Sequence, residues 1–520
     1  MGAEGSATQT SRATHRLGAI VALVAWALLV TTLLHRDPYG LDEATARAVL
    51  FLWSVSDQVA SPIVTLGIPD FRAIYLIPVG IPFSGSVLAA KLLTSVFVMA
   101  TAVLLHRWRL RFGEGESALL SSGLLLLCPI VVAGVDAIAI GPYLLFTLVL
   151  SGMADARYRE TRVRFGGLYF AQLLLCVAAV TLHPAGLALP LALVISWMRA
   201  RKADAPTTVT PVPIPGNERM HMLAGFALAS VLGLLLAAGW PGQTWFANPL
   251  VALARDGFGF HSESAIGDNV VVALGLATGA ALMLALWRAR AAILGDRIAG
   301  MLAAAILLAA FTGDSTFVLL AFAFLLYWGF PTLLRVRVAG ARGFVGQRGF
   351  AFALLIVLAT SFLSSDRARF EHLRAGPDLS AQDELLQALA EETAKFPAPA
   401  VAPGAGAAQE KVWRGPRVAS QWPGRTMIAC RCSALPLPPA LEDSDRFAAM
   451  LHGIDFVVFD PQDPRNRSLA RAFSLLNGKQ AETIVLQAGG VILHLPRDGA
   501  AQPPSTAPGS PPVPGAGLES

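Results

Sequence analysis

Two adjacent carboxylates, Asp42 and Glu43, stand in Gly40-Leu41-Asp42-Glu43-Ala44, after the first apolar run of the chain and before a helical stretch from Ala44 to Val55. Carboxylates can exchange a proton with a reacting group when their environment tunes them and they stand within hydrogen-bond reach of it. This placement lets a carboxylate face a cavity at the level of the lipid. The same residue types also suit a plain helix start, with Asp42 as its cap and Glu43 favourable in the first turn. Asp136, between Val135 and Ala137, sits in a turn too tight for a long loop. It reads either as the cap of a helix starting at Ala137 or as a second acid or metal ligand. His183, before Pro184, reads first as a capping or interface histidine and second as a substrate contact.

Three cations accompany these acids: Arg72, Lys91 and Arg255. Lys91 lies about a turn and a half inside an apolar stretch. Ionisable groups in such stretches are functional candidates by default, although a lysine there also snorkels to the interface. Arg72, Arg255 and Asp70 fall in polar loops, where a solvated charge is the alternative reading. Asp42, Asp136 and His183 form a candidate set for a divalent metal, with no ligand spacing that demonstrates one and no cofactor otherwise implied. Trp245 and Phe246 suit an interfacial aromatic belt or a sugar-stacking face. Cys430-Arg431-Cys432 would close only a small, strained ring as a disulfide, and a redox or metal pair is the other reading. No P-loop, dinucleotide fingerprint or catalytic-serine motif is present.

The elements that must position these residues follow from composition. Of 520 residues, 54% are hydrophobic and only 14% are charged, against about 25% charged in ordinary globular chains. A membrane helix needs ~20 apolar residues. Eleven candidate spans appear, at 17–34, 86–105, 117–133, 137–152, 166–181, 185–199, 221–240, 269–287, 298–311, 315–333 and 349–364. With the N-terminus inside, twenty Lys and Arg fall on or at the edge of the inner segments and four, Arg36, Arg47, Arg72 and Arg255, in outer loops. That asymmetry follows the positive-inside rule, so the net charge of +5 is a topology signal and not a nucleic-acid footprint. The expected organisation is a disordered cytoplasmic N-terminus (1–16), a transmembrane domain (17–365) with long outer loops at 35–85 and 241–268, an extracytoplasmic α/β domain (366–497) and a disordered tail (498–520). Within the α/β domain, helical patterns lie near 379–395, 441–453 and 466–477. β-type runs lie at Thr426–Ala429, Asp455–Phe459 and Thr483–Leu486, and Gly489-Gly490 leads into Val491–Leu495 as a hairpin signal. An acid-rich outer face beside a hydrophobic slab suits chemistry on a lipid-linked substrate.

The order of these motifs resembles the GT-C class of membrane glycosyltransferases, in particular the protein mannosyltransferase and aminoarabinose transferase group. The similar features are the outer Asp42-Glu43 before a helix and Ser84-Gly85-Ser86-Val87-Leu88-Ala89-Ala90-Lys91-Leu92-Leu93. They continue with a basic inner loop, Ala118 to Leu127, Cys128-Pro129, Asp136 in a tight outer turn and His183-Pro184 in another. By motif the likeness covers roughly residues 17–200, and by layout the rest. Lys91 stands where the group commonly has Arg, and Gly67-Ile68-Pro69-Asp70-Phe71-Arg72 replaces its aromatic and His-Pro-Pro elements.

The resemblance implies transfer of a sugar from a polyprenyl-phosphate donor in the bilayer to an envelope acceptor: a glycolipid, a polysaccharide or a protein. It implies a bacterial-type inner membrane and no nucleic acid. Asp42 would be the base, Glu43 and Asp136 its acidic companions, and Arg72, Lys91 and Arg255, with His183 and Asp70, the phosphate or substrate contacts. A non-catalytic scaffold of the same fold for envelope glycan assembly is the alternative. A transporter is the third, against which stands the lack of two halves with paired broken spans. A reporter fused after residue 365 is expected to be active only outside the cytoplasm, and a cytoplasmic signal there would overturn this topology.

Overall fold

The computed structural model describes residues 20, 23–27, 29–30, 41, 43–55, 72–80, 82–83, 86–112, 115–161, 166–199, 216–236, 253, 257–258, 265–312, 314–329, 331, 362, 381–396, 416–441, 444–463, 466–475, 482–487 and 490–495. Asp42, Asp70, Arg255, Trp245 and Phe246 lie outside the described residues, as do the 1–16 and 498–520 segments, most of the 241–268 loop and nearly all of the 349–364 span.

Helical residues at 20, 23–27 and 29–30, within the first expected span, precede α1 (Glu43–Val55), α2 (Arg72–Gly80) and α3 (Val87–Leu110). Among the described residues α3 alone is long and apolar enough to cross a membrane unaided. Ser86 caps it, accepting the Ala89 N–H at 3.4 Å, and Arg107 and Arg109 lie in its last turn. There they complement the negative end of the helix dipole. The span expected at 117–133 is two helices, α4 (Gly115–Leu126) and α5 (Pro129–Asp136), bent by 48°. Pro129 has no N–H to continue the ladder, so the chain restarts there. The span expected from 137 starts later, as α6 (Ile140–Thr161). The delay comes from Ile138, whose φ of 51° puts a β-branched residue in the left-handed region, where it cannot continue a right-handed helix. Asp136 therefore ends one helix and does not cap the next.

Next come α7 (Gly167–Leu182), a single 3-10 turn (Pro184–Leu187), α8 (Ala188–Arg199), α9 (Gly216–Leu236) and α10 (Ala265–Arg288). A short α11 (Arg290–Gly295), α12 (Arg297–Ala310) and α13 (Ser315–Phe324) follow, and α13 runs on into a π-helical turn (Leu325–Gly329). Asp296 binds three of these elements together. Its carboxylate accepts the Ile298 and Ala299 N–H groups at the start of α12 and the indole N–H groups of Trp108 and Trp328, both at 2.9 Å. Arg109 Nη1 lies 3.4 Å away and its guanidinium stacks on Trp328. A buried carboxylate is tolerated only with donors on every side.

The C-terminal α/β unit is a five-stranded sheet. Its elements are α14 (Ala381–Ala394), β1 (Arg417–Ser420), α15 (Pro423–Cys430), β2 (Ser433–Pro436), α16 (Ser444–Met450), β3 (Phe456–Phe459), α17 (Arg467–Leu475), β4 (Glu482–Gln487) and β5 (Gly490–His494). The strand order is β2-β1-β3-β5-β4, with β2, β1 and β3 parallel and the β4–β5 hairpin antiparallel at the other edge. β3 is buried on both faces, as a central strand must be. Phe456 and Val458 pack with Leu385, Leu386 and Leu389 of α14, while Val457 and Phe459 pack with Phe447, Leu469 and Phe473 of α16 and α17. Three helices, the β3 run and the hairpin lie where the sequence puts them. Thr426–Ala429, expected as a strand, is instead the body of α15, because Pro423 starts a helix readily and Met427 and Ile428 bury against one neighbour on one face. β1 and β2, four residues each, are too short to show an alternation.

Asp296→Ala is expected to cost about 3–5 kcal/mol of stability, the scale for breaking a buried, charged hydrogen-bonded group, read as a lower melting temperature in detergent. An unchanged melting temperature would show that these elements hold without it.

Candidate active site

The N-terminal ends of α1, α2, α3 and α6 and the C-terminal end of α5 meet in one cluster, and buried polar contacts hold them there. Arg72, the first residue of α2, is fully buried. Its Nη1 donates to Thr45 Oγ1 on α1 and to the Ile138 carbonyl, each at 2.8 Å. The strained turn at Ile138 thus presents its carbonyl to a guanidinium, which offsets part of the cost of the left-handed residue. Two residues before it, Asp136 receives Lys91 Nζ at 2.7 Å. Lys91 is almost fully buried and Asp136 is about one-fifth exposed. A buried ammonium costs several kcal/mol unless paired, so this pair fixes α3 against the end of α5.

Aromatic and hydroxyl groups line the same region one turn deeper. Thr94, one turn below Lys91 on α3, shares a 2.6 Å hydrogen bond with Tyr143 of α6, and Tyr75 of α2 shares one of 2.8 Å with Thr147. The rings of Tyr75, Phe97 and Tyr143 pack mutually at 5.3–5.6 Å. The cluster is therefore polar and cationic at its mouth and aromatic below.

The sequence-derived site residues separate into two groups. Glu43, Arg72, Lys91 and Asp136 belong to the cluster or to the helix tied to it. His183 belongs elsewhere: its Nδ1 accepts the Ala185 N–H at 3.0 Å, capping the 3-10 turn, and its Nε2 meets Asp314 Oδ2 at 2.8 Å. Asp314 in turn caps α13 through the Thr316 and Phe317 N–H groups. Burial pushes the Asp314 carboxyl up, but hydrogen bonds from His183, Phe317 and Thr312 outweigh it and hold the group below its usual range. Asp136 and His183 thus have different partners, and no group of three metal-binding side chains occurs among the described residues. Thr45, Tyr75 and Tyr143 were not legible as residues of the cluster, because their partners are distant in sequence.

Glu43 faces outward from α1 toward the α/β unit. Its Oε1 accepts the Gly424 N–H at 2.8 Å and its Oε2 the Arg425 N–H at 3.1 Å, at the start of α15. Arg47, one turn on, donates to Oε1 at 3.1 Å. Burial pushes the Glu43 carboxyl above its usual range, against the lowering effect of the two N–H groups and Arg47. Around this contact, Leu41, Ala46, Val49, Leu50 and Trp53 form one apolar cluster with Met427, Ile428 and Ala434. Arg431 closes the seam, its guanidinium 4.2 Å from the centre of the Trp53 ring.

No protein-family model matches the sequence, and no curated protein does. Solved structures do match. ArnT from Cupriavidus metallidurans in the apo state aligns over 93% of this chain and 98% of its own, with a TM-score of 0.52 and 14% identity. The chain has the GT-C fold. The same ArnT bound to undecaprenyl phosphate aligns with a TM-score of 0.50 at 15% identity, over 92% of this chain and 97% of that one. AglB, an archaeal oligosaccharyltransferase from Archaeoglobus fulgidus in complex with an inhibitory peptide and a dolichol-phosphate, aligns with a TM-score of 0.50 at 12% identity, over 90% of this chain and 72% of that one. The fold is that of polytopic membrane proteins with a C-terminal domain, as the order of motifs implied.

A double-mutant cycle on Lys91→Met and Asp136→Asn is expected to give a coupling of about 1–3 kcal/mol in detergent stability, the range for buried neighbours. Asp136→Asn alone should be the more costly single change, since it leaves a buried ammonium facing a neutral group. Additive effects would mean that the pair does not hold these helices.

Proposed function

We propose that the protein transfers a sugar from a polyprenyl-phosphate donor to an envelope acceptor on the extracytoplasmic face of a bacterial-type inner membrane. The observation that supports this most is the concentration of buried cations, Arg72 and Lys91, at the outer ends of α1–α3, directly beside the helix that Asp42 precedes. The fold, shared with structures that hold undecaprenyl phosphate or dolichol-phosphate, supports the donor class. The acceptor is a hydroxyl-bearing glycolipid, polysaccharide or protein. The membrane domain spans the bilayer about eleven times, and the acid-rich loops and α/β domain stand outside.

In this reading the acceptor oxygen attacks the anomeric carbon from the face opposite the phosphate. The new glycosidic bond forms as the bond to the phosphate oxygen breaks, with inversion. Asp42 takes the acceptor's proton. The phosphate leaves with added negative charge, and Lys91, with Arg72 and Arg255, stabilises it in a site where water is scarce and a fixed cation counts for most. Asp136 holds the Lys91 ammonium in place. His183, through Asp314, serves the packing of α7 against α13, and Asp70 belongs to the loop on the acceptor side.

Asp42→Asn is expected to reduce transfer in membranes supplied with lipid-linked sugar by 10²-fold or more, the scale for loss of a general base, with expression unchanged. Wild-type transfer in that variant would remove Asp42 from the reaction.

A further inference from the structure

The helix that receives Glu43 lacks a cap of its own. The residue before α15 is Trp422, which makes no side-chain cap, and Pro423 occupies the first turn. The N–H groups of Gly424 and Arg425 are among the four that a helix start leaves without intrahelical partners. Both are satisfied by one carboxylate, 381 and 382 residues earlier in the chain.

The position is significant in the sheet. β1 leads through α15 to β2 on one side, while β3 lies on the other side of β1. The C-terminal ends of β1 and β3 therefore flank a point where the strand order reverses, the crevice in which open α/β sheets receive their ligands. A helix N-terminus there is the usual seat of an anion. In this protein the anion is a side chain of α1.

We propose that Glu43 is a positioning residue: it docks the α/β unit onto α1 as an internal ligand and thereby sets where the start of α1, and with it Asp42, stands. This rests on the reading of Asp42 as the base. Asp42 is bonded directly to Glu43, with consecutive Cα atoms about 3.8 Å apart, so a tether on one restricts the other. The seam around it is built for a defined seat. A Cβ added at Gly424 would come to 2.9 Å of the Glu43 carboxylate and 3.3 Å of Ala46, and Arg431 stacks on Trp53 nearby. Both oxygens of the carboxylate accept N–H groups of α15, so its observed contacts are with the α/β unit.

Hydrogen exchange of the full-length protein in detergent, followed by mass spectrometry, tests this without reference to activity. Glu43→Gln is expected to speed amide exchange in 43–55 and 423–430 by roughly tenfold or more, leaving that in 87–110 unchanged. Arg431→Ala should loosen the same two segments from the other side of the seam, and it carries the test should the Gln variant not fold. In transfer assays both variants should lower kcat while leaving the KM for the lipid-linked donor unchanged. Unchanged exchange in both variants would overturn the docking role. Loss of transfer by Glu43→Gln with unchanged exchange would make Glu43 a residue that touches substrate. Faster exchange in a protein whose Asp42→Asn form still transfers sugar would keep the docking and remove the link to catalysis.

Discussion

A charge placed among apolar helices must find compensating partners: where five helix ends meet, Arg72 takes the oxygens of Thr45 and Ile138, and Lys91 takes Asp136. The alternative to pairing is several kcal/mol of desolvation for each charge, so the arrangement leaves little freedom. α2 can approach α1 only where Thr45 meets the guanidinium, and the turn after α5 must expose its carbonyl to the same group. The unfavourable backbone at Ile138 follows from this demand. What results is a set of helix ends whose relative positions are fixed by buried polar contacts.

The α/β unit attaches to α1 with a different balance of forces. Its seam is mostly apolar, with one cation over an aromatic ring and one carboxylate over a helix start. Burial works against the Glu43 charge, so the hydrogen bonds specify the register of docking more than they strengthen it, while the apolar contacts of Met427 and Ile428 provide the driving force. At the other end of α3, Asp296 ties Trp108 to the start of α12 and to the π-helical turn after α13, as the Lys91 contact ties the first turns of α3 to α5.

Local pattern was enough to reveal α14, α16, α17, β3 and the β4–β5 hairpin, because each carries its own periodicity or turn glycine. It also singled out Lys91, since a lysine within an apolar stretch is conspicuous, and the His183 cap, since His-Pro at a turn has few uses. It did not reveal that Arg72 is buried: a loop arginine and a guanidinium that ties two helices read alike until the Ile138 carbonyl is in view. Nor did it show what Glu43 does, because the helix it caps is formed by residues nearly four hundred positions away, in a segment whose Thr-Met-Ile-Ala run resembles a strand. Pairing of that kind is a property of the folded chain and leaves no trace in either partner's neighbourhood.

The same separation in sequence bears on how the molecule is made. The N–H groups that receive the carboxylate of α1 come from Gly424 and Arg425, 381 and 382 residues further along the chain. Their sheet is in turn completed by β5, which ends at His494 and pairs with the central strand β3. Glu43 therefore leaves the ribosome long before its partners do, and β3 gains its second neighbour only when β5 has been made. Closure of so long a loop carries an entropic cost that grows only with the logarithm of its length, but it comes late. The contact of Glu43 with α15 thus forms only after every helix between them has been made, and the central strand of the sheet that carries α15 stays an edge until β5 is added.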